Sequence, residues 1–123
     1  TPTVPANCRH TYQSYVCLFT PRDPSLATVE HLHEQRNELM RILEERGVAT
    51  RQGTHAVTLQ GYYQNKYDIN DRDYPKAFMA DRLTISLPLY PQMTDEEQDY
   101  VVSNLREAYS RLTPMSPAIG TDV

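Results

Sequence analysis

The residues with the most chemical potential share one stretch, Arg51–Pro91, which holds a lone interior histidine, both lysines and most of the tyrosines. His55 stands beside Arg51, Gln52 and Thr54, in a segment that reads as a loop between a strand and a helix. Loops positioned by rigid elements are where function concentrates. Arg51 could pair with a carboxylate or a phosphate. Chemistry alone leaves a structural role for His55 open beside a functional one. Tyr62, Tyr63, Tyr67 and Tyr74 could stack on a ring, or pack as amphipathic side chains. Lys66 and Lys76 fall in polar segments, where a lysine ordinarily keeps its amine in water.

Other candidates weaken on inspection. His31 and His33 are two apart on a helical pattern, so they lie on different sides and cannot chelate one metal from that helix. His10, near a strand start, reads as structural or solvent-facing. Cys8 and Cys17 form no CxxC pair and no disulfide framework, and Cys17 sits in an apolar run as a small hydrophobe. Asp95, Glu96 and Glu97 cluster where they suit a helix N-terminus rather than acid–base work. No GxSxG elbow, GxGxxG turn or Walker loop is present.

The elements that must position the stretch can be read in order. Residues 9–19 alternate polar with aromatic and β-branched types and predict a long strand, its second half deeply buried. Thr28 can cap a helix over Val29–Arg46, with Leu32, Leu39, Ile42 and Leu43 on one side and Gly47 as its stop. The charges of that helix, Arg36 among them, read as a solvated face. Val48–Arg51 predicts a strand, broken by Gln52-Gly53. Thr54 then caps a helical segment near Ala56–Lys66. After a polar connector over Asp68–Asp73, Pro75 opens a helix ending near Leu83. Leu83–Leu87 alternates as a strand, ended by Pro88. Thr94 and Glu97 form a capping box for helix Asp95–Leu112, with Val101, Leu105, Ala108 and Leu112 inward. The order predicts an α+β fold, a small, mainly antiparallel sheet with helices packed on it. Residues 1–8 read as a linker and 113–123 as a tail.

The bulk composition agrees with one ordinary globular domain over 9–112: 39% hydrophobic and 23% charged residues in a chain of 123. A net charge of −4 leaves no electrostatic footprint for nucleic acid or an anionic membrane. No apolar run reaches the roughly 18 residues of a membrane span. A reducing cytoplasm is the expected compartment.

Four segments, in order, resemble one family. Arg36-Asn37-Glu38-Leu39-Met40, leading to Leu43-Glu44-Glu45-Arg46-Gly47-Val48, is similar to its RDELMxxLxERGI helix. Leu59-Gln60-Gly61-Tyr62-Tyr63 resembles its LQPYY. Ala80-Asp81-Arg82 through Ser86-Leu87-Pro88-Leu89-Tyr90-Pro91 resembles its ADRxLSLPLYP. Met93-Thr94-Asp95-Glu96-Glu97-Gln98-Asp99-Tyr100-Val101 resembles its MTDEEVDYV. The family is the DegT/DnrJ/EryC1/StrS group of pyridoxal-phosphate-dependent sugar aminotransferases.

The resemblance implies the C-terminal small domain of a fold-type-I aminotransferase. A large preceding domain would carry the pyridoxal phosphate and its Schiff-base lysine, and the active sites would lie at a homodimer interface. Neither Lys66 nor Lys76 matches the family's cofactor lysine, so no catalytic residue and no cofactor are expected on this chain alone. The whole enzyme would pass an amino group from glutamate or glutamine to a keto-sugar, often nucleotide-linked. Many members place Pro-Leu-His before Leu-Gln-Pro-Tyr-Tyr, whereas this chain has Ala56-Val57-Thr58 and then Gly61. The usual histidine is thus Thr58, and Arg51, Gln52, Thr54 and His55 are the expected substrate contacts in a variant form. An autonomous, non-catalytic ligand-binding or interaction module of the same fold is the alternative. As a small domain parted from its large one, the chain should expose apolar surface on the 9–19 strand or the tyrosine-rich segment.

Overall fold

The computed structural model describes residues 3–113. Three strands are formed, β1 (Tyr15–Leu18), β2 (Arg51–Gln52) and β3 (Thr84–Leu87). The helices are α1 (Val29–Glu45), α2 (Gly61–Tyr67), α3 (Pro75–Leu83) and α4 (Asp95–Leu112), with a 3-10 turn over Val57–Leu59. The sheet runs β1-β3-β2 and both pairings are antiparallel. The α+β class expected from the sequence is the one observed. None of the described helices is long and apolar enough to cross a membrane.

Register decides which side chains share a face. Val16 opposes Ser86, which opposes Arg51; Cys17 opposes Ile85, which opposes Gln52. Strand alternation therefore puts Cys17, Ile85 and Leu87 on one face and Val16, Leu18, Thr84 and Ser86 on the other. The first face joins the core with Leu32, Leu39 and Leu43 of α1, Phe78 of α3, and Val101 and Ala108 of α4.

Helix α1 buries Val29, Leu32, Arg36, Leu39 and Leu43, one stripe at steps of three and four. It ends at a left-handed Gly47 (φ +74°). The Gly47 N–H donates to the Glu44 carbonyl and the Val48 N–H to the Leu43 carbonyl, which is the paired bonding of a Schellman stop. The α4 capping box is complete: Thr94 accepts from the Glu97 N–H, and Glu97 accepts from the Thr94 N–H. Pro75 stands in the first turn of α3.

Several expectations need correction. The long strand over 9–19 shrinks to Tyr15–Leu18, because Tyr12 turns through φ 50° and β3 offers only four residues to pair. Its second half is not deeply buried: Tyr15, Val16 and Leu18 are exposed, since β1 is an edge strand, Cys17 packs half-buried against the core, and only Phe19 is fully buried. The strand over Val48–Arg51 becomes Arg51–Gln52 because the helix stop consumes Val48. The helix near Ala56–Lys66 divides into the 3-10 turn and α2, separated by an extended Gln60, and Thr54 caps neither. Thr28 occupies the N-cap of α1, but its hydroxyl turns back to Ser25. Arg36 is not on the solvated face; it is 2% exposed. Residues 3–8 contain a turn closed by the Cys8 N–H on the Pro5 carbonyl. Beyond Thr113, the expected tail lies outside the described residues.

Candidate functional site

The segment after β2 is strapped across the junction of α3 and β3. The Thr84 hydroxyl donates to the Ala80 carbonyl at 2.7 Å and accepts from the Thr54 N–H at 3.1 Å. The Ala56 N–H donates to Asp81 Oδ2 at 2.9 Å. Asp81 and Thr84 are both buried, so these bonds are shielded from competing water. Gly53 makes the approach possible: a Cβ there would meet Val16 Cγ1 at 2.4 Å and Thr84 Cβ at 3.0 Å. Sequence reasoning passed over Gly53, Asp81 and Thr84 as positioning groups. The signal was a glycine directly after a strand, where a close backbone approach is a standing possibility.

On this anchored loop the structure brings three of the four expected contact residues together. Gln52 Nε2 lies 2.8 Å from the Thr54 carbonyl oxygen and 3.2 Å from His55 Nδ1. Thr54 and His55 are exposed and Gln52 is half-buried. Arg51 is set apart. As the neighbour of Gln52 in β2, opposite Ser86, it projects to the other face of the sheet. Among the described residues its guanidinium meets no acid within ion-pair distance. Thr58 has a buried hydroxyl with no hydrogen-bond partner among the described residues.

A second set of polar groups holds α1 to the same junction. Arg36 Nε donates to the Arg82 carbonyl at 3.0 Å, and His33 Nδ1 lies 2.8 Å from that oxygen. Asn37 Nδ2 meets His33 Nε2 at 3.1 Å. His33 Nδ1 thus faces the Arg82 carbonyl, which can only accept, while Nε2 faces the Asn37 amide. Arg36 Nη2 also lies 3.0 Å from His33 Nδ1, and the ring's tautomer sets whether this approach or the one to the carbonyl is the bond. Burial lowers the affinity of the Arg36 guanidinium for its proton, and the nearby Asp81 carboxylate offsets part of that loss. Among the described residues no three His, Cys, Asp or Glu side chains gather as metal ligands do.

The tyrosine segment lies in the open. Tyr62 and Tyr67 are 65% and 58% exposed, and Lys66 Nζ sits 5.4 and 5.3 Å from their ring centroids. Lys76 is exposed in the first turn of α3. Between β1 and the first half of α4 runs an apolar groove of about 440 Å³, with Cys17, Leu87, Leu89, Met93, Val101 and Leu105 in its lining.

The sequence model of the DegT/DnrJ/EryC1/StrS aminotransferase family matches residues 20–106. The chain belongs to this family. It is 29% identical over 108 residues to the spore coat polysaccharide biosynthesis protein SpsC of Bacillus subtilis, covering 87% of this chain and 26% of that protein. An uncharacterized protein of Methanocaldococcus jannaschii is 26% identical over 110 residues, with 89% of this chain and 26% of that protein covered. Among solved structures, the PMP-form of "Putative sugar aminotransferase Spr1654" from Streptococcus pneumoniae superposes with a TM-score of 0.66 at 25% identity, over 80% of this chain and 22% of that one. The PLP-form of the same protein gives 0.65, also at 25% identity. The chain thus spans about a quarter of the length of the relatives it matches.

Proposed function

We propose that this chain, over residues 9–112, is the C-terminal small domain of a pyridoxal-phosphate-dependent aminotransferase. The whole enzyme moves an amino group from glutamate or glutamine to a keto-sugar, often nucleotide-linked, and works as a homodimer in the cytoplasm. The observation that carries the reading is the family match over 20–106 joined to the exposed loop of Gln52, Thr54 and His55. A loop tied down by buried bonds yet open at its tip suits a wall that another body completes.

Pyridoxal phosphate would supply the electron sink for amino transfer. Lys66 lies against tyrosines on the surface of α2 and Lys76 is exposed, so neither amine sits in a pocket. The cofactor is assigned to the large domain, and this chain's part is confined to binding and orienting the sugar. Thr54 and His55 face the substrate. Arg51 takes a carboxylate or phosphate from the other side of the strand. The family assignment leaves the autonomous binding module without an observation of its own.

The test uses the longer protein that carries this chain, assayed with keto-sugars and either amino donor. His55→Ala should raise KM for the sugar by roughly tenfold, the scale of one lost hydrogen bond of about 1.4 kcal/mol. The KM for the amino donor should hardly move. Unchanged kinetics in His55→Ala would remove the loop from the site. No amino transfer to any keto-sugar would remove the activity.

A further inference from the structure

We infer that Gln52 is a positioning residue that fixes the tautomer of His55, so that the ring offers an Nε2–H donor to an acceptor oxygen of the substrate. What that donor meets rests on the aminotransferase reading; the tautomer does not.

The argument begins at the Thr54 carbonyl. Its oxygen has lone pairs only, and it lies 2.8 Å from one end of the Gln52 amide. That end must be the NH2 group, because the reversed amide would press two oxygens together. The same nitrogen has a second hydrogen, and His55 Nδ1 lies 3.2 Å away. Facing a donor, Nδ1 must be the bare, accepting nitrogen. The proton of the neutral ring is then on Nε2. Either an Nδ1–H tautomer or an imidazolium would set donor against donor.

The consequence is chemical. His55 is exposed, and its free nitrogen can give a hydrogen bond outward but cannot accept one. It can recognise a hydroxyl, carbonyl, carboxylate or phosphate oxygen. It cannot take a proton at that nitrogen without first losing its own. The geometry is held from below, since the flanking Thr54 and Ala56 N–H groups are bound to Thr84 and Asp81. Gln52 therefore acts through His55, while His55 and Thr54 meet the ligand.

The test is the imidazole nitrogen NMR spectrum of the full chain labelled with 15N-histidine, taken at neutral ring charge without substrate or cofactor. His55 is assigned by comparison with His55→Gln. The expected result is a single Nε2–H tautomer for His55. In Gln52→Met, which keeps the side-chain length and lacks the amide, the Nδ1–H form should rise to the minority share seen in free histidine. Gln52→Leu is the second variant, and unchanged backbone amide shifts elsewhere certify that each is folded. An Nδ1–H ring in the parent, or a tautomer mixture already equal to that of the two variants, overturns the inference. Because no substrate enters the measurement, its failure is separate from failure of the sugar assay.

Discussion

At residue 53 there is no room for a side chain. A Cβ would meet Val16 Cγ1 at 2.4 Å, well inside van der Waals contact, and Val16 belongs to the far edge strand of the sheet. Gly53→Ala should destabilise the fold by about 1–3 kcal/mol, the usual cost of overpacking. Val16→Ala should recover part of that loss, so urea midpoints of the two single variants and the double variant should be non-additive. Full additivity would mean that the loop does not cross the sheet at this contact. The residues that carry the family resemblance act in the same structural way. Arg36 opens the RDELM-like segment and ties α1 to the Arg82 carbonyl. Asp81, in the Ala-Asp-Arg segment, accepts the Ala56 N–H. Asp81 holds the loop and Arg36 holds α1 to the same junction; the groups exposed on the loop are Thr54 and His55.

Among the elements, α4 agrees most fully with its sequence, because its start is decided locally. Thr94→Ala should cost about 0.5–2 kcal/mol of stability in denaturant melts, the range for a lost N-cap. The cap also has a pH signature. The Thr94 N–H, and after it the Tyr90 hydroxyl, hold the Glu97 carboxyl below the usual carboxylate range. A depressed carboxylate contributes stability that is fully present above its unfolded value, about 4.3, and lost as pH falls through the lower folded value. The Thr94 amide resonance should therefore shift in that acid window in the parent and stay flat in Glu97→Gln. An equal response in both proteins would assign the titration elsewhere. Residues 9–19 behave in the opposite way. Their composition favours a strand, but a strand lasts only as long as its partner, and β3 pairs with Tyr15–Leu18 alone.

For the whole molecule, the informative surface is the one left uncovered. Tyr15, Val16 and Leu18 along the edge strand are exposed, as are Tyr12 before it and Tyr62, Tyr63 and Tyr67 on α2. Both segments where sequence reasoning placed exposed apolar surface carry it. A bare edge and large uncovered aromatics invite a partner surface. The proposed large domain is that partner. In the longer protein, amide exchange over Tyr15–Leu18 should slow at least about tenfold relative to the chain alone, since covered backbone opens less often. Equal exchange in the two would argue against this face as the domain contact.

The sequence by itself determined the helices with local stops and caps, the order of elements, the α+β class and the family. Each of these is written in short-range spacing: a capping box, a glycine stop, a stripe at steps of three and four. The 32-36-39-43 spacing fits Arg36 to the buried stripe, but its charge was read as facing solvent, and only the structure put it inside. Only the tertiary structure decided how far β1 extends, that Thr54 serves Thr84 rather than a helix, and that Gln52 turns back onto His55 while Arg51 faces away. Those outcomes depend on which strand lies alongside and which buried acceptor lies within 3 Å or so, and residues far apart in the chain supply both.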